Sequence, residues 1–196
     1  MRLWLIRHPP PAVPPGLCYG ATDLPLAEDP APLAEALRPL LPAGAPLFTS
    51  PLQRCRLLAE RLHEAPIVDA RLAELNFGDW EMQPWERLDR VLIEAWAADP
   101  ARFQPPGGER VADFQARVAA FLAELPEEAV VVAHAGVIKV CAAMLADEPE
   151  WFGLAFEYGS LTLIERGVRR AVWPPRDARK SAARDRCQSQ EAPSPR

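Results

Sequence analysis

An α/β fold, a three-layer sandwich with helices on both faces of a mostly parallel central sheet, is what this sequence predicts. Two observations carry that prediction. Short apolar runs of strand length, at residues 3–6, 47–49 and 130–132, alternate with longer segments whose apolar residues recur at helical spacing. The run Val130-Val131-Val132 is β-branched with no polar alternation, as in a strand buried on both faces.

In chain order, residues 3–6 form a first strand that stops at Arg7-His8 and the breaker run Pro9-Pro10-Pro11, so a buried strand feeds a rigid loop. Pro14, Pro15, Gly16 and Gly20 extend that loop. Leu33, Leu37 and Leu40 or Leu41 have the spacing of a first helix ending near Pro42. Residues 47–49 follow as a second strand. Ser50 is placed as the N-cap, and Pro51 as the first residue, of a helix running through Leu57, Leu58 and Leu62, with Arg54 in its first turn. Ile67-Val68 is a third strand, and the loop 72–80 gathers carboxylates around Gly78. Trp85, Leu88, Leu92 and Trp96 recur at helical intervals. A helix from Glu109 to Leu125 presents Val111, Phe114, Val118, Leu122 and Leu125 on one face. The strand 130–132 ends in Ala133-His134-Ala135-Gly136, residues 137–145 read as another helix, and 161–164 with 168–173 read as a hairpin about Gly167. Past that point apolar residues nearly vanish. The reading is one domain over residues 1–173 and a disordered, basic tail over 174–196.

Length and composition narrow the function classes. A chain of 196 residues, 49% of them hydrophobic, can bury a core without disulfides. Cys18, Cys55, Cys141 and Cys187 are far apart and none forms a C-x-x-C pair, which argues against a structural zinc site or a redox dithiol. Only four consecutive apolar residues open the chain, too few for a signal peptide or a membrane span, so a cytoplasmic protein is expected. Net charge is −5; the tail contributes six basic and three acidic residues, leaving the body at −8, which disfavours nucleic acid as a partner. Any site for a phosphorylated substrate must then be a local basic cluster set against the average charge.

Such a cluster has candidates. In a parallel sheet ligands bind at the carboxyl ends of the strands, and His8, His134 and the Ser50-Pro51 step before Arg54 each follow a predicted strand. Neutral imidazole can attack phosphorus directly, giving a phosphohistidine and dividing one displacement into two. Guanidinium groups, with Arg7 and Arg54 as candidates, hold the equatorial oxygens in a planar fork. His134 could donate to the same oxygens, and the N–H groups of Ala135 and Gly136 open a helix toward the anion. One acid of the 74–81 loop must protonate the leaving alkoxide; spacing alone does not choose among Glu74, Asp79 and Glu81. Glu81 also reads as a surface carboxylate pairing with Arg87 or packing beside Trp80. His63, near a helix end where a cation suits the dipole, is assigned no chemistry. The Cys55-x5-Arg61 spacing of a cysteine phosphatase is rejected, because it lies in a helical pattern without a glycine-rich cradle.

Four blocks together resemble the histidine phosphatases of the phosphoglycerate-mutase-like superfamily: Leu5-Ile6-Arg7-His8, Thr49-Ser50-Pro51-Leu52-Gln53-Arg54-Cys55, Leu72-Ala73-Glu74-Leu75-Asn76-Phe77-Gly78-Asp79-Trp80-Glu81 and Val131-Val132-Ala133-His134-Ala135-Gly136. The resemblance implies that His8 is the nucleophile, that Arg7, Arg54 and His134 form the phosphate pocket with the Ala135 N–H, that Glu74 is the proton donor, and that no metal or organic cofactor takes part. Within the family, residues 16–26 look like the α-ribazole phosphatase branch. A sugar-phosphate phosphatase or mutase is the first alternative, and a catalytically silent binding module the second. Family members usually have Gly after the nucleophile, with Thr and Asn soon after; here Pro9-Pro10-Pro11 follow, and Tyr19 and Gly20 are expected to compensate as a substrate loop. Oligomeric state is left open.

Overall fold

The computed structural model describes residues 1–174; apart from Pro174, the expected basic tail, with Cys187, lies outside the described residues. Strands β1 (Arg2–Arg7), β2 (Leu47–Thr49), β3 (Ile67–Val68), β4 (Glu128–Ala133), β5 (Leu161–Glu165) and β6 (Val168–Trp173) form one sheet in the order β3-β2-β4-β1-β5-β6. The first four run parallel, whereas β5 is antiparallel to β1 and to β6. Helices α1 (Ala31–Leu37), α2 (Gln53–Leu62), α3 (Arg90–Ala98), α4 (Val111–Ala123) and α5 (Ala135–Leu145) complete the layers.

Side-chain alternation along the central strands builds both faces. Leu3 and Leu5 of β1, with Ala129, Val131 and Ala133 of β4, pack under α4 and α5, while Ile6, Val130 and Val132 turn to the other face under α1 and α2. Burial on both faces is why the valine run carries no polar alternation. Each of the buried leucine, isoleucine and valine side chains among them contributes about 1.5–3 kcal/mol. Arg166 and Gly167 both have positive φ between β5 and β6, the two-residue turn that suits the right-handed twist of a hairpin.

Two local expectations are corrected. Ser50 is not a helix N-cap and Pro51 is not helical: α2 starts at Gln53 after an extended Leu52, and Asp23 from another loop accepts the Gln53 N–H at 2.7 Å. Ser50 is thereby released to the sheet edge. The Trp85-to-Trp96 interval is not one continuous helix. A 3-10 turn at Trp85–Arg87 is followed by α3, whose N-cap Asp89 accepts from the Val91 N–H at 2.9 Å. The tryptophans keep a shared face because they form a separate aromatic cluster, in which Trp85 and Trp96 stack at 5.8 Å beside Trp80, Phe77 and Phe103.

Candidate active site

Because β1, β2 and β4 are parallel and in register, with Arg7 opposite Ala133 and Thr49 opposite Val132, their carboxyl ends deliver His8, Ser50 and His134 to one edge. The two imidazole rings lie 5.1 Å apart, centroid to centroid. Strand β5 begins at that same edge because it runs antiparallel, and it brings Tyr158 to 5.5 Å from the His8 ring.

The His8 ring is fixed by its own chain. Its Nδ1 lies 2.6 Å from the Pro9 carbonyl. A carbonyl can only accept, so Nδ1 carries the hydrogen and the lone pair resides on Nε2. Residue 9 therefore needs a carbonyl but no N–H, which is why proline is compatible there. Burial and the charges of Arg54 and Arg7 hold the His8 pKa well below its ordinary 6.5. His134, the N-cap of α5, is lowered likewise by burial, then by His8, Arg54, Arg7 and Arg117. Its Nε2 lies 2.8 Å from Ser50 Oγ and 3.4 Å from Cys55 Sγ. Both rings are thus neutral at pH 7.

Arg54 enters from the first turn of α2 and is fully buried. Its Nη1 and Nη2 donate to the Thr22 and Gly20 carbonyls at 2.7 and 2.5 Å, and its Nε is buried without a partner. Arg7 donates from Nη1 to the Phe156 carbonyl, and its Nε is likewise buried and unpaired. Among the described residues neither guanidinium has a carboxylate within ion-pair distance. A buried and a half-buried cation, each with an idle buried Nε–H, next to a neutral imidazole, are the chemistry of an anion-binding site.

Glu74 comes to this edge from the loop after β3. Its Oε2 accepts the Gly136 N–H at 3.0 Å, two residues past His134. That contact corrects the expectation that Gly136 faces the anion; its N–H is spent on the acid, and Ala135 is left as the first residue of α5. Arg117 holds the backbone under Glu74, donating to the carbonyls of Arg71, Ala73 and Glu74 at 2.6, 2.7 and 3.1 Å while paired with Glu109 at 2.7 Å. Glu81 is neither a surface carboxylate nor a partner of Arg87. It accepts the N–H groups of Ala21, Thr22 and Phe77 at 2.8, 2.6 and 3.0 Å, stapling the loop that covers Arg54 to the aromatic cluster. Tyr19 and Gly20 do reach the site, but Gly20 acts as an acceptor for Arg54, and the Tyr19 hydroxyl bonds that of Tyr158.

His63 lies elsewhere, capping the end of α2 with Nδ1 3.1 Å from the Ala65 N–H. Burial pushes the Cys55 thiol up, so no thiolate forms there. Among the described residues no group of three or more His, Cys, Asp or Glu could hold a metal ion, and no helix is long and apolar enough to cross a membrane.

The family model described as histidine phosphatase superfamily (branch 1) matches residues 3–173. The chain belongs to that superfamily. Among its relatives, this histidine phosphatase is 34% identical over 203 residues to an adenosylcobalamin/alpha-ribazole phosphatase of Salmonella typhimurium, covering 89% of this chain and 100% of the relative. Among solved structures, TTHB049 from Thermus thermophilus matches with TM-score 0.71 and 35% identity, over 88% of this chain and 97% of that one. A putative alpha-ribazole-5'-P phosphatase from Escherichia coli matches with TM-score 0.74 and 27% identity, over 88% and 94%. The α/β fold expected from the strand and helix pattern is the one this chain shares with these solved structures.

Arg117, Tyr158 and the partnership of Ser50 with His134 escaped the sequence reading. Tyr158 had one usable signal, its position at the head of a strand that must run back along β1 and so start where β1 ends. Arg117 had none, since its acceptors are backbone carbonyls 43 to 46 residues away.

Proposed function

We propose that this phosphatase hydrolyses phosphate monoesters through a phosphohistidine at His8, and that α-ribazole 5'-phosphate is its substrate. The observation that carries the mechanism is the pair of unpaired guanidinium Nε–H groups, on Arg7 and Arg54, flanking an imidazole held by the Pro9 carbonyl with Nε2 unprotonated. The phosphoryl group is held by those guanidiniums, with His134 and the Ala135 N–H as further donors. His8 Nε2 attacks phosphorus, the bond to the ester oxygen breaks, and Glu74 in its acid form protonates the departing alkoxide. Glu74, now a carboxylate, then takes a proton from the attacking water. The P–N bond breaks, phosphate leaves and His8 returns neutral. Glu81 is less suited to the acid role than Glu74, because its oxygens accept three backbone N–H groups and the Thr22 hydroxyl, against the two N–H groups, of Leu75 and Gly136, at Glu74.

The substrate assignment is supported by the names of similar proteins and by the loop 16–26. That loop is sewn to the aromatic cluster by Glu81 and by the Cys18 N–H, which donates to the Gln83 carbonyl at 2.8 Å. Aromatic rings beside the phosphate site, Tyr158 at 5.5 Å from His8 and Tyr19 at 5.6 Å from the Arg54 guanidinium, suit a nucleoside-like ester. The test is turnover in chelator of a panel holding α-ribazole 5'-phosphate, sugar phosphates, phosphoglycerate and phosphoserine, ranked by kcat/KM, together with trapping of an acid-labile phosphoenzyme. Expected are first rank for α-ribazole 5'-phosphate and loss of turnover and label in His8→Ala. Unchanged turnover in that variant refutes the mechanism; a sugar phosphate ranked first refutes the substrate.

A further inference from the structure

We propose that Tyr19 and Tyr158 form a hydroxyl wall of the phosphoryl pocket, closed on itself without substrate and opening so that its hydroxyls donate to the phosphoryl oxygens; this rests on the phosphate-site reading above.

The placement is specific. The Tyr158 ring lies 5.5 Å from that of His8 and is tilted by 52°, and the Arg7 guanidinium lies 3.7 Å from its centroid. The Arg54 guanidinium carbon is 5.6 Å from the centroid of Tyr19. The two phenols come from segments 139 residues apart and meet hydroxyl to hydroxyl. Both rings are half-buried, whereas the groups beneath them are shut off from solvent: His8 is 2% exposed, and Arg54 and His134 are not exposed at all. An anion bound for His8 must therefore displace something at this edge, and the two half-buried tyrosines meet there through a hydroxyl-to-hydroxyl contact.

The donor inventory gives the hydroxyls their use. A transferring phosphoryl group presents three oxygens, each able to accept more than one hydrogen bond. Pro9, Pro10 and Pro11 offer no N–H, Gly136 gives its own to Glu74, and each guanidinium has committed donors to carbonyls. Burial raises the Tyr19 phenol above its ordinary value, so it remains a donor. Within a hydroxyl pair only one of two hydrogens lies in the bridge, which leaves the other available. Arg7 stacked on the Tyr158 face fixes that ring's orientation toward His8.

On anion binding each phenol exchanges a neutral partner for a charged oxygen, and charge-assisted hydrogen bonds are about twice as strong. Tyr19→Phe and Tyr158→Phe keep the rings and their packing. Binding of inorganic phosphate and of orthovanadate, measured by calorimetry on the full chain, is expected to weaken about tenfold in each single variant. Affinity equal to or tighter than wild type in both variants overturns the proposal, because a pair that only plugs the site would bind better once unlatched. Phosphohistidine labelling in the same proteins keeps the two readings apart. Tyrosine-dependent phosphate affinity without label sinks the His8 mechanism and leaves the wall standing, whereas label with unchanged affinity sinks the wall alone.

Discussion

Replacing Arg54 with methionine should uncouple folding from function. Arg54 is fully buried, and its bonds to the Thr22 and Gly20 carbonyls, at 2.7 and 2.5 Å, with the Tyr19 ring 5.6 Å away, offset the cost of burying its charge. That desolvation costs several kcal/mol. Methionine removes the penalty at similar length but leaves two carbonyls short of a donor, at about 1–3 kcal/mol each. The opposing contributions leave a net change within about 2 kcal/mol, or about 4–8 °C in Tm for a domain of this size. Ligand response should change far more. Orthovanadate at a hundred times its Kd stabilises the wild type by about 2.7 kcal/mol. That corresponds to a rise of about 5–11 °C in Tm. The variant should show no such rise, and its kcat/KM should fall about a hundred- to a thousandfold, the usual effect of removing one preorganised donor from a charged transition state. Thermal unfolding with and without orthovanadate measures the stability terms, and steady-state turnover the last. A full vanadate shift in Arg54→Met would refute the reasoning, as would an apo Tm lowered by more than about 15 °C.

Two further outcomes follow from the same edge. A Cβ on Gly136 would lie 2.3 Å from Glu74 Oε1, the movable end of a side chain, so Gly136→Ala should keep its Tm within about 3 °C. It should nevertheless lose at least tenfold in kcat by swinging the acid aside, and an unchanged kcat would refute the placement of Glu74. The lowered pKa values of His8 and His134 also fix a pH dependence. Below pH 6.5 the unfolded imidazoles take up protons that the native ones refuse, so stability falls as pH falls. Between pH 7 and 5.5 two such groups remove at most about 2.5 kcal/mol, the limit set by the unfolded imidazoles. Urea unfolding at the two values measures it, and His134→Gln should halve the loss. An equal loss in wild type and variant would contradict the buried neutral state.

Much of the fold was legible because both-face burial leaves a direct mark: the valine run of β4 and the apolar opening of β1 carry no alternation, and each ends in a histidine. Arg54 was legible because a cation in a first helical turn opposes the dipole. Misreadings arose where a side chain's partner lies far along the chain. Ser50 has the composition of an N-cap, yet its hydroxyl lies against His134, 84 residues on. Glu81 has the appearance of a surface carboxylate, yet it closes a contact across 60 residues. The tryptophan spacing mimicked one helix because clustering of aromatic faces demands the same periodicity whether or not the backbone between them is continuous.

Glu81 carries a consequence for divergence. One carboxylate grips both the segment that covers the Arg54 guanidinium and the Phe77 backbone of the aromatic cluster, so neither half is free to drift alone. Lineages acquiring new esters would preserve this joint and vary exposed side chains around it, keeping the chemistry inherited while the preference changes.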